Sequence, residues 1–314
     1  MGFDLEGLRA AVAAHGQVTR VVIAAIRGSS PREVGAAMLV WQDGQSGTIG
    51  GGTLEYEAAN TARSQAQDSV LSKHALGPDL GQCCGGVVTV LSEIYDAARL
   101  AALDEEMIAR VVKAGASSAM PIAVKRLLAT ARGQGVRPEP QLIEGWMVEP
   151  VHRPEVPLWI WGAGHVGRAL VDVLSPLPEF AITWVDTAPE RFPSDIPLGV
   201  VPVPAADPAL LVSHTPVNAQ HLILTYSHAL DLALCHSLLG HGFAFAGLIG
   251  SATKWARFRS RLAGLGHSPE QISRITCPIG DPALGKHPQM IAVGVAAQLL
   301  RRDMTEALKK DHRA

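Results

Sequence analysis

Apolar positions fall into their most regular scheme between Pro157 and Asp186, PLWIWGAGHVGRALVDVLSPLPEFAITWVD. Residues 158–161 are an unbroken apolar run, the pattern of a strand buried on both faces. Val166, Ala169, Leu170, Val173 and Leu174 follow at the spacing of one helix face, and residues 181–185 give a second strand ending in Asp186. Between first strand and helix, Gly162, Gly164 and Gly167 spell G-x-G-x-x-G. Strand, glycine triplet, helix, strand and acid in this order predict a Rossmann-type unit. The first glycine makes the tight turn, the second lets backbone approach a phosphate, and the third lets helix and strand pack closely. Asp186, 19 residues past the last glycine, stands where a carboxylate accepts hydrogen bonds from a ribose or similar diol.

The same pattern continues beyond Asp186. Residues 200–202 form a short strand, Asp207 opens a helix, and residues 221–225 and 244–249 are apolar strands. Ser251 or Thr253 caps a helix whose buried stripe is Trp255, Phe258 and Leu262, and residues 288–300 form a closing helix. Ahead of Pro157 the elements are more mixed. Leu5, Leu8, Ala11 and Val12 predict an amphipathic helix ending near Gly16, and residues 18–26, 38–41 and 87–94 read as strands. A helix beginning LEYEAAN follows Gly50–Gly52, with Thr53 as candidate N-cap. Residues 98–115 read as a helix, and 120–128 and 141–148 as paired strands joined by the polar tip ARGQGVRPEP. PVHRPEVP, with three prolines, reads as a linker. The expected architecture is α/β: an N-terminal mixed α/β domain (1–149), a linker (150–157), a Rossmann-like doubly wound parallel-sheet domain (158–302) and a charged tail (303–314). No internal repeat is visible.

Composition narrows the classes. Of 314 residues, 47% are hydrophobic and 18% charged, as in a globular chain, and few are aromatic, so aliphatic packing carries the interior. A net charge of −2 gives no reason to expect nucleic acid. No apolar run approaches the ~20 residues that span a bilayer. MGFDLEGLRAAVAAHG has early acids and no cleavage-site pattern, so no secretory leader is expected. Four cysteines, two of them adjacent, make no disulfide framework and point to a reducing, cytoplasmic setting.

Three further loops carry candidate chemistry. Arg27-Gly28-Ser29-Ser30-Pro31-Arg32 sets arginine forks and hydroxyls in a turn, suited to a phosphate or carboxylate, or alternatively to pairing with nearby acids. Gly50, Gly51 and Gly52 form either a close-approach loop with N–H groups aimed at a ligand, or a plain turn with Glu55 and Glu57 offsetting a helix dipole. Cys83 and Cys84, between Gln82 and a glycine pair, can meet a soft metal, carry sulfur or simply pack; their spacing does not build a zinc site. His228 and Asp231, past a strand end, read as an acid–base pair or a helix cap. Lys254, Arg257 and Arg261 share a helix face, and the four basic residues from Lys254 to Arg261 read as holding an anionic group or a partner surface, or as a solvated face.

Taken together, RGSSPREVGAAM, GTIGGGTLE, LGPDLGQCCGG, WGAGHVGRAL, TYSHALD, GLIGSATKWARFRSRL and CPIGDPALGKHPQMIA resemble the xanthine dehydrogenase accessory protein family of the XdhC type. The resemblance runs in order through most of the chain. It implies not an enzyme but a chaperone that binds the molybdenum cofactor (molybdopterin), protects it, presents it to a cysteine desulfurase for sulfuration and delivers it to xanthine dehydrogenase. It assigns cofactor contact to Arg27, Ser29, Ser30, Arg32, Gly50–Gly52, Glu55, Cys83 and Cys84, with either cysteine possible near molybdenum, and to the Gly162–Gly167 loop. Molybdenum cofactor biosynthesis proteins are further candidate partners, and alanine-rich helices suit a homodimer. Tyr226, Met290 and Asp281 depart from the family's commoner pattern. An oxygen-sensitive dithiolene asks for a covered site between domains. The residues alone keep two other readings open: an NAD(P)-dependent oxidoreductase, with Asp186 favouring NAD, and a regulatory nucleotide-binding module.

Overall fold

A computed structural model describes residues 2–77, 85–113, 115 and 119–311, the last nine by backbone alone. The chain divides into two units, Met1–Arg153 and Pro154–Ala314.

In the first unit α1 (Leu5–His15) is capped by Asp4, whose side chain accepts from the Gly7 N–H, and stops at Gly16 with φ 78°. The strands β1 (Val18–Arg27), β2 (Ala37–Trp41) and β3 (Gly44–Gly47) follow, then α2 (Gly52–Arg63), β4 (Ser69–Ala75) and β5 (Val87–Tyr95). They form an antiparallel sheet in the order β3-β2-β1-β5-β4. Val21, Ile23, Met38, Val40, Val88 and Val90 bury one face of it against Leu54, Ala58, Ala59 and Ala62 of α2. A small sheet completes the unit. It uses α3 (Ala97–Ala101), β6 (Met107–Val111), α4 (Ile122–Gln134), β7 (Gln141–Ile143) and β8 (Trp146–Pro150), with strand order β6-β8-β7.

The structure departs here from the sequence-based expectation in four places. Residues 98–115 are not one helix: Asp96 caps the short α3, and Asp104 turns the chain by accepting from the N–H groups of Glu106 and Met107 before β6 begins. Residues 120–128 are not a strand: Val124, Leu127, Leu128 and Ala131 follow the helical period and lie in α4, which ends at Gly135 in the left-handed region. Residues 141–148 are a hairpin turning at Glu144 and Gly145, both with positive φ. The Pro-rich linker shrinks to residues 152–155, because β8 runs to Pro150, Val151 bridges Phe3, and the next strand starts at Val156.

A buried ion network ties β1, β5, β6 and β8. Arg20 donates both terminal nitrogens to Glu149, Arg110 bridges Glu149 and Glu93, and Arg99 reaches Glu93 at 3.0 Å. Arg20 also lies 4.2 Å over the Phe3 ring. Burial pushes the Glu149 carboxyl up, but Arg20 and Arg110 outweigh it and hold the group below its usual range.

The second unit contains β9 (Val156–Trp161), α5 (His165–Leu174), β10 (Phe180–Asp186), β11 (Val201–Pro204), β12 (Gln220–Ile223), α6 (His228–His241), β13 (Phe245–Leu248), α7 (Ala252–Gly264), α8 (Pro269–Ser273), β14 (Ile275–Thr276) and α9 (Pro288–Asp311). All neighbours in its sheet are parallel, in the order β11-β10-β9-β12-β13-β14. This is the doubly wound Rossmann order, with its reversal between β9 and β12. Both faces are covered: Leu158, Ile160, Leu170, Leu174, Trp184 and Leu299 pack on one side, Trp161, Ile223, Leu234, Leu238, Phe258 and Leu262 on the other.

Candidate functional site

In the first unit, antiparallel pairing sets Arg27, the last residue of β1, opposite Val87, the first of β5. The loop leaving β1 therefore meets the Gly85-Gly86 segment entering β5. The approach is so close that a Cβ on Gly86 would stand 2.1 Å from the Ser29 carbonyl oxygen, and one on Gly28 would stand 3.2 Å from the Gly86 Cα. The glycine loop after β3 joins from the other side, where a Cβ on Gly50 would stand 2.7 Å from Pro31 and 3.4 Å from Arg32. Backbone without side chains is what lets these loops converge.

Their polar groups divide into spent and unspent. Glu55 is spent: one oxygen accepts from the Thr48 hydroxyl (2.5 Å) and from the N–H groups of Ile49 (2.9 Å) and Gly51 (3.0 Å). Desolvation raises its pKa, yet these bonds outweigh it and hold the carboxyl below its ordinary range. Glu55 is thus the brace of the loop, and Thr48, which sequence reasoning missed, is its partner. The Gly50 N–H goes to the Thr48 hydroxyl, so two of the three glycine N–H groups face inward rather than toward a ligand. Gly51, not Thr53, caps α2. Arg32 pairs with its neighbour Glu33 at 3.1 Å. Among the described residues, Ser30 and Arg27 remain unspent. The Ser30 hydroxyl is inaccessible to solvent and has no hydrogen-bond partner among the described residues. Arg27 is exposed and makes no ion pair among the described residues. Cys83 and Cys84 lie outside the described residues.

In the second unit the Gly162 turn has φ 124°, and a Cβ there would stand 2.5 Å from the Leu224 carbonyl oxygen. A Cβ on Gly167 would stand 2.0 Å from the Gly162 carbonyl oxygen. Gly164 differs: nothing lies within 4 Å of where its Cβ would be. It is the N-cap of α5 and no side chain caps that helix, leaving the open approach that an anion uses in this fold. The turn is pinned throughout. Trp184 donates to the Gly162 carbonyl (3.0 Å), Arg168 to the Ala163 carbonyl (3.1 Å), and the Ala163 N–H donates to Asp186 (2.6 Å).

That last bond changes the role of Asp186. Its carboxylate is 3% exposed; one oxygen holds Ala163, and the other accepts from Thr187 N–H and hydroxyl and from Arg191 Nε. The diol-accepting position read from the sequence is occupied by the protein's own donors. Of the two readings of His228 and Asp231, the acid–base pair does not form, and the N-cap of α6 is Ser227. Asp231 is fully buried, accepts from Thr225, and pairs with Lys254 Nζ at 2.6 Å, while His228 is exposed. Lys254 consequently leaves the basic face, where Arg257, Arg259 and Arg261 remain exposed.

Comparison with known proteins places this arrangement. A family model described as the XdhC Rossmann domain matches residues 158–299, and one described as the XdhC and CoxI family matches residues 11–72. The chain belongs to the XdhC family. This XdhC-family chain is 25% identical over 289 residues to the Escherichia coli uncharacterized protein YqeB, a match that takes 88% of the chain and spans about two fifths (41%) of that relative's length. It is also similar to the crystal structure of a Bacillus halodurans protein described as a xanthine dehydrogenase, with TM-score 0.65, 21% identity and 96% of each chain covered. At that identity the likeness speaks for the fold alone. Among the described residues of this XdhC-family protein no group of three or more His, Cys, Asp or Glu side chains is placed to hold a metal ion, and no helix is long and apolar enough to cross a membrane.

Proposed function

We propose that this protein carries the molybdenum cofactor during maturation of xanthine dehydrogenase, with the first unit's converging loops as the cofactor-holding site. The observation that carries this reading is the buried Ser30 hydroxyl, without a hydrogen-bond partner among the described residues, in the same loop as Arg27 and in a cradle where Gly86 leaves no room for a side chain and Gly28 has a left-handed backbone. A buried hydroxyl without a partner is a cost that a bound ligand's oxygen or ring nitrogen removes. Arg27 supplies the charge a phosphate requires, and Arg32, Ser29 and Gly51 lie in the same loops. Glu55 acts by holding the glycine loop in shape. When bound, the cofactor supplies the molybdenum and dithiolene chemistry; this chain holds and shields it. Cys83 and Cys84 precede Gly85-Gly86 directly in sequence, which suits sulfur or metal contact at the same cradle. In this reading the partners are xanthine dehydrogenase as acceptor, a cysteine desulfurase as sulfur donor and cofactor biosynthesis proteins as source, in the cytoplasm, with the carrier a homodimer.

The test is the small molecule itself. Protein purified without oxygen is heated, the released material is oxidised, and fluorescent pterin and molybdenum are quantified. Near-stoichiometric pterin in the wild type, lowered severalfold in Ser30→Ala and Arg27→Ala, is the expected result. Release of a nicotinamide dinucleotide with no pterin would instead establish the oxidoreductase reading, which the parallel sheet and the glycine triplet of the second unit keep in view.

A further inference from the structure

A cavity of about 220 Å³ opens in the small-sheet part of the first unit and shares no residue with the converging loops. Its lining includes Glu106, Met107, Arg132, Arg137, Val151 and Arg153. Pairing of β6 with β8 sets Met107 opposite Pro150, and the Val151 N–H donates to the Glu106 carbonyl at 2.8 Å, which fixes the backbone on either side of Glu106 and Arg153. Arg132 comes from the last turn of α4, and the left-handed Gly135 ends that helix and turns the chain toward Arg137. The acids next to Glu106 are spent. Asp104 accepts from the N–H groups of Glu106 and Met107, and Glu105 pairs with Arg9. Arg132 and Glu106 are not spent. Neither side chain makes a hydrogen bond or ion pair among the described residues, and although both line this cavity they do not pair with each other. Arg132 acts on Asp104 through its field only. Arg153 gives one terminal nitrogen to the Glu105 carbonyl at 3.0 Å and keeps the rest of its fork.

Opposite charges around one small space attract each other. Held apart, they describe a guest that carries both complements: carboxylate oxygens for the guanidinium forks and a hydrogen-bond donor for the Glu106 carboxylate. The helix dipole accounts for a cation at Arg132, at the end of α4, but not for Arg153, which arrives from beyond β8. Two forks from separate segments suit two carboxylates, whereas a bare phosphate would set its charge against Glu106. Met107 and Val151 give a short carbon chain apolar contact, and the volume lies below the ~300–1,000 Å³ of drug-sized pockets, so the guest is small. We propose that this cavity binds a small dicarboxylate bearing an ammonium or hydroxyl group, with Arg132 and Arg153 on the carboxylates and Glu106 on the donor. An amino diacid and a hydroxy diacid both supply that chemistry. This inference does not depend on what the converging loops or the glycine turn hold.

Titration calorimetry on the full-length chain tests it with L-aspartate, L-malate and succinate, one four-carbon diacid skeleton with an ammonium, a hydroxyl and no donor. Aspartate or malate is expected to bind roughly tenfold or more tighter than succinate, and whichever does names the source. Arg132→Ala and Arg153→Ala should each weaken the preferred diacid by roughly tenfold; both side chains are exposed, so both variants should fold. Glu106→Ala should erase the preference, weakening the donor-bearing diacid and strengthening succinate, a crossing that a purely structural role does not produce. Arg126→Ala, on the same helix as Arg132 but outside the cavity lining, should leave binding unchanged. Succinate binding as tightly as both other diacids, no binding of aspartate or malate at millimolar concentration, a donor preference that survives Glu106→Ala, or an Arg126→Ala loss equal to that of Arg132→Ala overturns the proposal.

Discussion

Gly86 rests against Ser29: a Cβ at Gly86 would stand 2.1 Å from the Ser29 carbonyl oxygen, a contact no side chain tolerates. The loop bearing Arg27, Ser29, Ser30 and Arg32 is thereby indexed to the segment that enters β5. Gly86→Ala must push the two apart, at a cost of about 1–3 kcal/mol to the first unit, and should lower bound pterin severalfold. Pterin fluorescence after denaturation, with circular dichroism as a check on folding, measures both. Full cofactor content in a folded Gly86→Ala protein would separate the cradle from cofactor binding.

The network around Glu149 makes a sharper prediction about stability. Arg20 is 2% exposed and its acidic partner is Glu149, which is fully buried. Glu149→Leu removes the acid that Arg20 pairs with and one of the two that Arg110 bridges, leaving Glu93, opposite Arg20 on β5, as the carboxylate that the buried arginines of this network share, which should destabilise the first unit by about 3–5 kcal/mol. Adding Arg20→Met should recover a large part of that loss, because the uncompensated charge goes with it. Urea denaturation of the two variants decides the matter; a double variant no more stable than the single one would mean that packing, not charge, dominates the site.

His221 predicts how the second unit responds to acid. It is fully buried on β12, its Nδ1 accepts from Trp161 Nε1 at 3.2 Å, and its Nε2 has no partner. Burial, and secondarily His241, push its pKa down to about 3 from 6.5. The native state therefore refuses a proton that the unfolded chain accepts below its own pKa. The contribution is complete above the unfolded value and is lost as pH falls from near 6.5 toward 3, by about 1.4 kcal/mol per pH unit at full slope. Denaturation followed by tryptophan fluorescence at pH 7.5 and 5.5 should show a drop of about 1–1.5 kcal/mol in the wild type, largely absent in His221→Asn. An equal drop in the variant would assign the acid sensitivity to other groups.

These sites show where the sequence was readable and where it was not. The Rossmann half was legible because each of its signals is local: an apolar run, a glycine triplet, a helical stripe and a second apolar run follow one another between Pro157 and Asp186. The convergence of the N-terminal loops was legible in kind, through their glycines, but not in detail. Glu55 looked like a ligand contact and is a brace, since only the fold brings Ile49, Gly51 and Thr48 to one oxygen. The same holds for Asp186, whose neighbours Ala163 and Arg191 become partners through chain reversal. Residues 98–115 misled because alanines and acids read as helix, whereas β6 is fixed by a partner strand and by Arg110 reaching Glu93 and Glu149, distant in sequence. The pairing of Asp231 with Lys254 is equally non-local, and no periodicity announces it.

Two glycines of the same turn should respond in opposite ways to the same change. A Cβ on Gly167 would stand 2.0 Å from the Gly162 carbonyl oxygen, which is already held by Trp184, so neither side can yield without moving α5 off the sheet. Gly167→Ala should cost the second unit about 1–3 kcal/mol. Gly164 has φ −74° and ψ −173°, backbone that any residue adopts, and its Cβ would enter open space. On stability grounds alone Gly164→Ala should lie within about 0.5 kcal/mol of wild type. If that space serves a ligand, the added methyl group should nonetheless weaken phosphate-ester binding by roughly tenfold, giving a protein that folds normally and binds poorly. Normal binding by Gly164→Ala would mean that the ligand sits away from the glycine turn, and that the turn serves only to join β9 to α5.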